Sequence, residues 1–91
     1  MGYIYLKDLE DFCKLHGWKI IVDETFNEIN ILENMEDGEE VASVYGYLVI
    51  DTKTALFEEL DRDTKLLLFN KLWLFAIIDD EEKFLKKGEE L

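Results

Sequence analysis

Hydrophobic and polar positions repeat along this chain with two different periods, and the changes between them divide it into helix, sheet and helix. From Tyr5 to His16, Tyr5, Leu6, Leu9, Phe12, Cys13 and His16 fall on one face, while Lys7, Asp8, Glu10, Asp11 and Lys14 fall on the other. That spacing predicts an amphipathic helix. Gly17 follows as its stop, free to take a positive φ. The period then shortens. Trp18–Asp23 is rich in β-branched residues, as a strand requires. In Glu28–Glu33, Ile29 and Ile31 point one way and Asn30 the other, with Leu32 ambiguous. Glu39–Tyr45 reads as a third strand, entered through the turn Asn34–Gly38, where Asp37-Gly38 suits a hairpin. Gly46 is expected to mark a bulge or tight turn. Tyr47–Asp51 either continues the third strand or forms a fourth.

The longest apolar run, Asp61 to Ile78, predicts the helix on which the rest packs. Asp61 suits an N-cap and Asp63 the positive end of the helix dipole. At about 100° per residue, Leu68, Phe69, Leu72, Phe75 and Ala76 form the expected core stripe, widened by Leu66, Trp73 and Ile77. Asp63, Asn70 and Lys71 mark the polar side. Leu67, Leu74 and Ile78 fall on that polar side too, where a helix that only covers a sheet does not need them. A membrane span needs roughly 20 apolar residues, and Asn70 and Lys71 interrupt this shorter run. Two readings of Leu67, Leu74 and Ile78 stay open. Either the C-terminal segment folds back over them, or they form the seam of a homodimer.

Between sheet and long helix, Thr52–Leu60 is expected to connect through one helical turn, with Ala55, Leu56 and Phe57 closing the end of the core. After Ile78, the acids Asp79–Glu82 and the lysines Lys83, Lys86 and Lys87 predict a short last helix. The expected fold is therefore α+β. It is a two-layer sandwich: helix, a three- or four-stranded antiparallel sheet, a long helix and a short C-terminal helix. Residues 1–91 read as a single domain.

Charge changes this picture most. The chain carries 22 acids against 10 bases, a net −12. That disfavours direct nucleic-acid binding, whose affinity comes largely from cations on phosphates, and disfavours anionic membranes. Between Lys19 and Lys53 no basic residue occurs, while Asp23, Glu24, Glu28, Glu33, Glu36, Asp37, Glu39, Glu40 and Asp51 do. Of these, Asp23, Glu24, Glu28, Glu33, Glu36, Asp37, Glu39 and Glu40 are the candidate partner-binding set. Carboxylates along a sheet edge and hairpin can imitate a phosphate backbone and occupy the basic groove of a nucleic-acid-binding protein. The plainer reading is that turns are polar and acids keep exposed strand edges soluble.

Candidate chemistry is sparse. Neither Asp79–Glu82 nor the acids Glu36, Asp37, Glu39 and Glu40 have the alternating ligand spacing of a calcium loop, so no metal is expected. Cys13 and His16, three residues apart, are the one thiol–imidazole pair, more readily read as a core cysteine and a boundary histidine. Ser43 is the single serine, and no glycine-rich phosphate loop occurs. A non-enzymatic protein without cofactors is expected. With one cysteine and no leader-like opening, a cytoplasmic location is expected as well.

Several stretches together resemble a group of short uncharacterised proteins of phages and prophages of low-GC Gram-positive bacteria. They are Leu6–Glu10 with His16-Gly17-Trp18, Glu39–Val44, Val49–Thr52, Phe57–Leu60, and Leu68-Phe69 through Phe75-Ala76. The shared motifs are structural: a Gly after the first helix, Gly38-Glu39-Glu40-Val41 leaving the hairpin, and an Ile-Asp-Thr strand end at Ile50–Thr52. Leu74, Ile77 and Ile78 depart from that group in being apolar. The resemblance carries over no functional residue. It implies a protein made in the host cytosol that inhibits a host nucleic-acid-binding protein, a CRISPR effector among the candidates. The alternative is a structural or assembly protein acting as a homodimer through its apolar helix patch.

Overall fold

The structure, a computed structural model, describes residues 5–23, 25–26, 28–45 and 49–77. Helix α1 (Tyr5–Leu15) leads into strands β1 (Trp18–Asp23), β2 (Glu28–Glu33), β3 (Glu40–Tyr45) and β4 (Val49–Asp51), then a short helix α2 (Ala55–Glu59) and the long helix α3 (Arg62–Ile77). The strands form one four-stranded sheet in the order β1-β2-β3-β4. Every neighbouring pair is antiparallel. The α+β reading holds, and the three-or-four alternative resolves to four, since Val49–Asp51 pairs back on Ser43–Tyr45. The expected C-terminal helix, Glu24, Gly46 and Ile78 lie outside the described residues.

Both helices pack on one face of the sheet, as their apolar stripes require. The shared core is Leu9, Phe12 and Cys13 from α1, Trp18 from β1, Ile29 and Ile31 from β2, Val41, Ala42 and Val44 from β3, and Leu68, Leu72, Phe75 and Ala76 from α3. Lys71 reaches Asp8 at 2.8 Å and lies 5.4 Å above the Phe12 ring, so one cation ties α3 to α1.

Helix ends follow local chemistry. Gly17 takes φ 73, the conformation expected of a residue just past a helix. Helix α1 therefore stops at Leu15, and His16 sits in the exposed turn rather than on the buried face. There its ring stacks on Trp18, with centroids 4.8 Å apart, and lies 4.7 Å from Phe12. Asp61 caps α3: its carboxylate accepts from the Thr64 N–H at 3.1 Å and from the Thr64 hydroxyl at 2.5 Å. These bonds hold its pKa below the ordinary value.

Two features of the sheet depart from expectation. The hairpin between β2 and β3 is wider than a two-residue turn, because Glu33 N–H already pairs with the Glu39 carbonyl at 3.0 Å. Gly38 is required there for space: a Cβ would lie 2.1 Å from the Glu33 carbonyl oxygen. The second is a bulge in β3. Ile31 pairs with Ala42 but Leu32 pairs with Glu40, so Val41 is the extra residue. The bulge lets consecutive Val41 and Ala42 both join the core, which regular alternation would place on opposite faces. The Thr54 side chain reaches this bulged residue, its hydroxyl giving a hydrogen bond to the Val41 carbonyl at 2.6 Å. The Thr54 hydroxyl oxygen also accepts from Phe57 N–H at 3.0 Å and so caps α2.

Thr54 is thus a clip between the bulge and α2. Thr54→Ala removes a helix cap and the hydrogen bond to the Val41 carbonyl, and is expected to cost about 1–3 kcal/mol in urea unfolding. Thr54→Ser keeps the hydroxyl and is expected to recover most of that loss.

Candidate functional site

Side chains on a strand alternate between faces, so the register assigns each acid to one side of the sheet. Ile29, Ile31, Ala42 and Val44 face the helices. Their neighbours Glu28, Asn30 and Ser43 therefore face the other way, as do Asp23, which pairs with Glu28, and Asp51, which pairs with Ser43. Glu40, placed before the bulge opposite Leu32, joins them. The open face thus gathers carboxylates from all four strands: Asp23, Glu28, Glu40 and Asp51. Asp51, which the sequence pattern leaves outside the candidate binding set, belongs to this group.

The Glu40 carboxyl registers the crowding. Partial burial raises its pKa above the ordinary 4.5, and the charges of Asp51 and Glu28 raise it further. Among the described residues the ion pairs are Lys7 with Asp11 and Lys71 with Asp8, all on helices α1 and α3. None of these pairs involves an acid of the open face, although Lys19, which pairs with Leu32, lies on that face by register. Two of them also hold backbone turns. Asp23 accepts from Thr25 N–H at 3.0 Å and Phe26 N–H at 3.3 Å, and Asp51 accepts from Lys53 N–H at 2.9 Å.

The remaining candidates do not extend this patch. Glu33 alternates onto the helix side, opposite Trp18, and its carboxylate accepts from Glu39 N–H at 3.3 Å. Glu36, Asp37 and Glu39 are exposed in the hairpin. That hairpin is at the far end of β2 from Asp23 and Glu28, about 17 Å away at 3.3 Å per residue. The single acidic edge expected from Asp23 to Glu40 is therefore two clusters, because a six-residue strand separates its ends.

The second surface is the outward side of α3. Leu68, Leu72, Phe75 and Ala76 are buried, but the expected core stripe is otherwise wrong: Phe69 is 45% exposed, Leu66 60% and Trp73 43%. Leu67 and Leu74 are exposed as expected, at 54% and 40%, and Ile77 is open at 37%. Leu66, Leu67, Phe69, Asn70 and Trp73 line a shallow groove of about 660 Å³. The apolar patch is therefore broader than Leu67 and Leu74 and is centred on Leu66 and Trp73. Sequence periodicity could not assign these residues. A helix apolar all round has no preferred side, and only the packing chooses one.

Cys13 is buried, and its thiol is pushed up to about 12, first by burial and then by the Glu10 charge. A thiolate nucleophile needs the opposite shift. Among the described residues no group of three or more His, Cys, Asp or Glu side chains is arranged to hold a metal ion. No described helix is long and apolar enough to cross a membrane. No protein-family model matches the chain, and no curated protein and no solved structure matches it either.

The crowding at Glu40 has a measurable consequence. A carboxyl whose pKa is raised by folding favours the native state when protonated, and that contribution is lost as pH rises through the folded pKa. Glu40→Gln is expected to raise the melting temperature at pH 7. The gain should shrink as pH falls and vanish below the ordinary carboxyl value of 4.5, which thermal melts from pH 3.5 to 8 (roughly the carboxyl-to-neutral range) will show.

Proposed function

We propose that this is a non-enzymatic interaction protein whose open sheet face engages a basic surface on a nucleic-acid-binding protein, in place of phosphates. The observation that carries the reading is the placement of Glu28, Glu40 and Asp51, from three strands, on one face of the sheet, none of them in an ion pair among the described residues. Unrelieved like-charge crowding weakens the folded state, and a basic partner removes that cost on binding. The surroundings suit a docking face. Asn30 and the buried Ser43 sit between the carboxylates along the strands, whose spacing the antiparallel ladder sets.

The identity of the partner rests on the resemblance to small phage proteins, which suggests a host defence protein such as a CRISPR effector. The open-face residues support only its chemistry: a surface of lysine and arginine that otherwise holds phosphates. The hairpin acids Glu36, Asp37 and Glu39 form a second, separate contact in this reading.

The test is a pull-down with tagged protein at low and high salt, beside the triple variant Glu28→Gln, Glu40→Gln, Asp51→Asn. The variant removes repulsion, so it is expected to fold at least as well. Wild type should capture nucleic-acid-binding proteins that high salt or added duplex DNA displaces. The variant should bind them at least about tenfold more weakly, the size of a 1.4 kcal/mol loss. Equal capture by the variant would refute the open face as the contact.

A further inference from the structure

We propose that the outward face of α3 is the contact between two copies of this chain. Leu66, Leu67, Phe69, Trp73, Leu74 and Ile77 are all exposed on that one helix. Together they expose on the order of several hundred Å² of contiguous apolar surface, at the upper end of what monomers show. Leu66, Asn70, Trp73 and Ile77 recur at steps of four, three and four. That is the spacing of a helix–helix seam, here on the side opposite Leu68, Leu72 and Phe75.

Charge selects a second copy as the occupant. Two chains of net −12 repel each other over most of their surface. Helix α3 is the exception: Arg62 and Lys65 stand against the single acid Asp63, while Lys71 is already paired with Asp8 of α1. It also packs on the sheet face opposite Asp23, Glu28, Glu40 and Asp51. Pairing through α3 therefore places the two acidic faces on the outside of the dimer, as far apart as the fold permits. A strongly basic partner would be drawn to those faces instead.

The one polar residue in the seam fits the same geometry. A contact between identical faces is twofold symmetric. With the helices antiparallel, Leu66 of one copy approaches Ile77 of the other, and Asn70 meets Trp73 near the axis. The Asn70 amide oxygen can then accept from the indole N–H of Trp73 in the second copy, and a single polar residue in a seam fixes its register. One helix face is a small interface, so the dimer is expected to dissociate at about micromolar concentration rather than be permanent. This proposal is independent of the acidic-face reading and uses none of its residues.

Sedimentation equilibrium of the full chain tests it. The mass should rise from 10.8 kDa toward twice that value as concentration increases. Added salt should strengthen the association, because it screens the shared negative charge without weakening apolar contact. Leu66→Glu and Trp73→Glu should each remain monomeric with an unchanged far-UV spectrum. A salt-weakened dimer that survives both substitutions would overturn the proposal and move the contact elsewhere. A wild-type monomer at every concentration would overturn it as well. Acrylamide quenching would then say what covers the helix: Trp18 is only 9% exposed, so an accessible fluorophore means an open Trp73 face. A protected one means that the chain itself covers it.

Discussion

The fold depends on one constraint: α3, with α1 beside it, must close the apolar side of a four-stranded sheet. Leu68, Leu72, Phe75 and Ala76 are the side chains that do this, and each is fully buried. They meet Leu9, Phe12 and Cys13 from α1 and Ile29, Ile31, Val41, Ala42 and Val44 from the sheet. The core is small, and small domains bury a modest fraction of their surface. Each contribution at its edge therefore counts. The β3 bulge adds a second consecutive apolar side chain to the core at Val41, and Thr54 ties the Val41 carbonyl to the start of α2.

Once the core is closed on one side, the molecule has two chemically opposite outer surfaces. The open sheet face carries carboxylates from all four strands, beside Lys19 and the exposed Ile21, Tyr45 and Val49, and the outward face of α3 carries leucines and aromatics. Electrostatics and the hydrophobic effect then act on different partners at different places. The acidic face attracts cations and repels its own copies. The helix face excludes water and tolerates a second negatively charged chain because it carries little of the molecule's negative charge. The buried thiol of Cys13 and the stacked ring of His16 both serve the packing between α1 and β1.

Element types were legible in the sequence because periodicity and punctuation agree there. Gly17 after an amphipathic run, alternation in Glu28–Glu33 and Asp61 before a long apolar stretch each have one physical reading. What was not legible depends on tertiary geometry. Nothing in Glu-Val-Ala-Ser announces a bulge, since Val41 and Ala42 suit either face of a strand. Phe69 and Trp73 were misassigned to the core because an all-apolar helix has no intrinsic inside. The acidic patch was legible as composition, but alternation moved Glu33 to the opposite face. It also brought in Asp51, eleven residues from Glu40, through pairing that no local pattern reveals.

The most direct measurement is a paired unfolding experiment on Leu72→Ala and Leu66→Ala, at a protein concentration low enough to keep both monomeric. Leu72 is completely buried and Leu66 is 60% exposed on the same helix. If α3 has one structural side and one free side, Leu72→Ala loses about 2–5 kcal/mol, while Leu66→Ala stays within about 0.5 kcal/mol of wild type. Comparable losses at both positions would contradict this. They would mean that α3 is enclosed on both sides within one chain and that its outward face is not a surface at all.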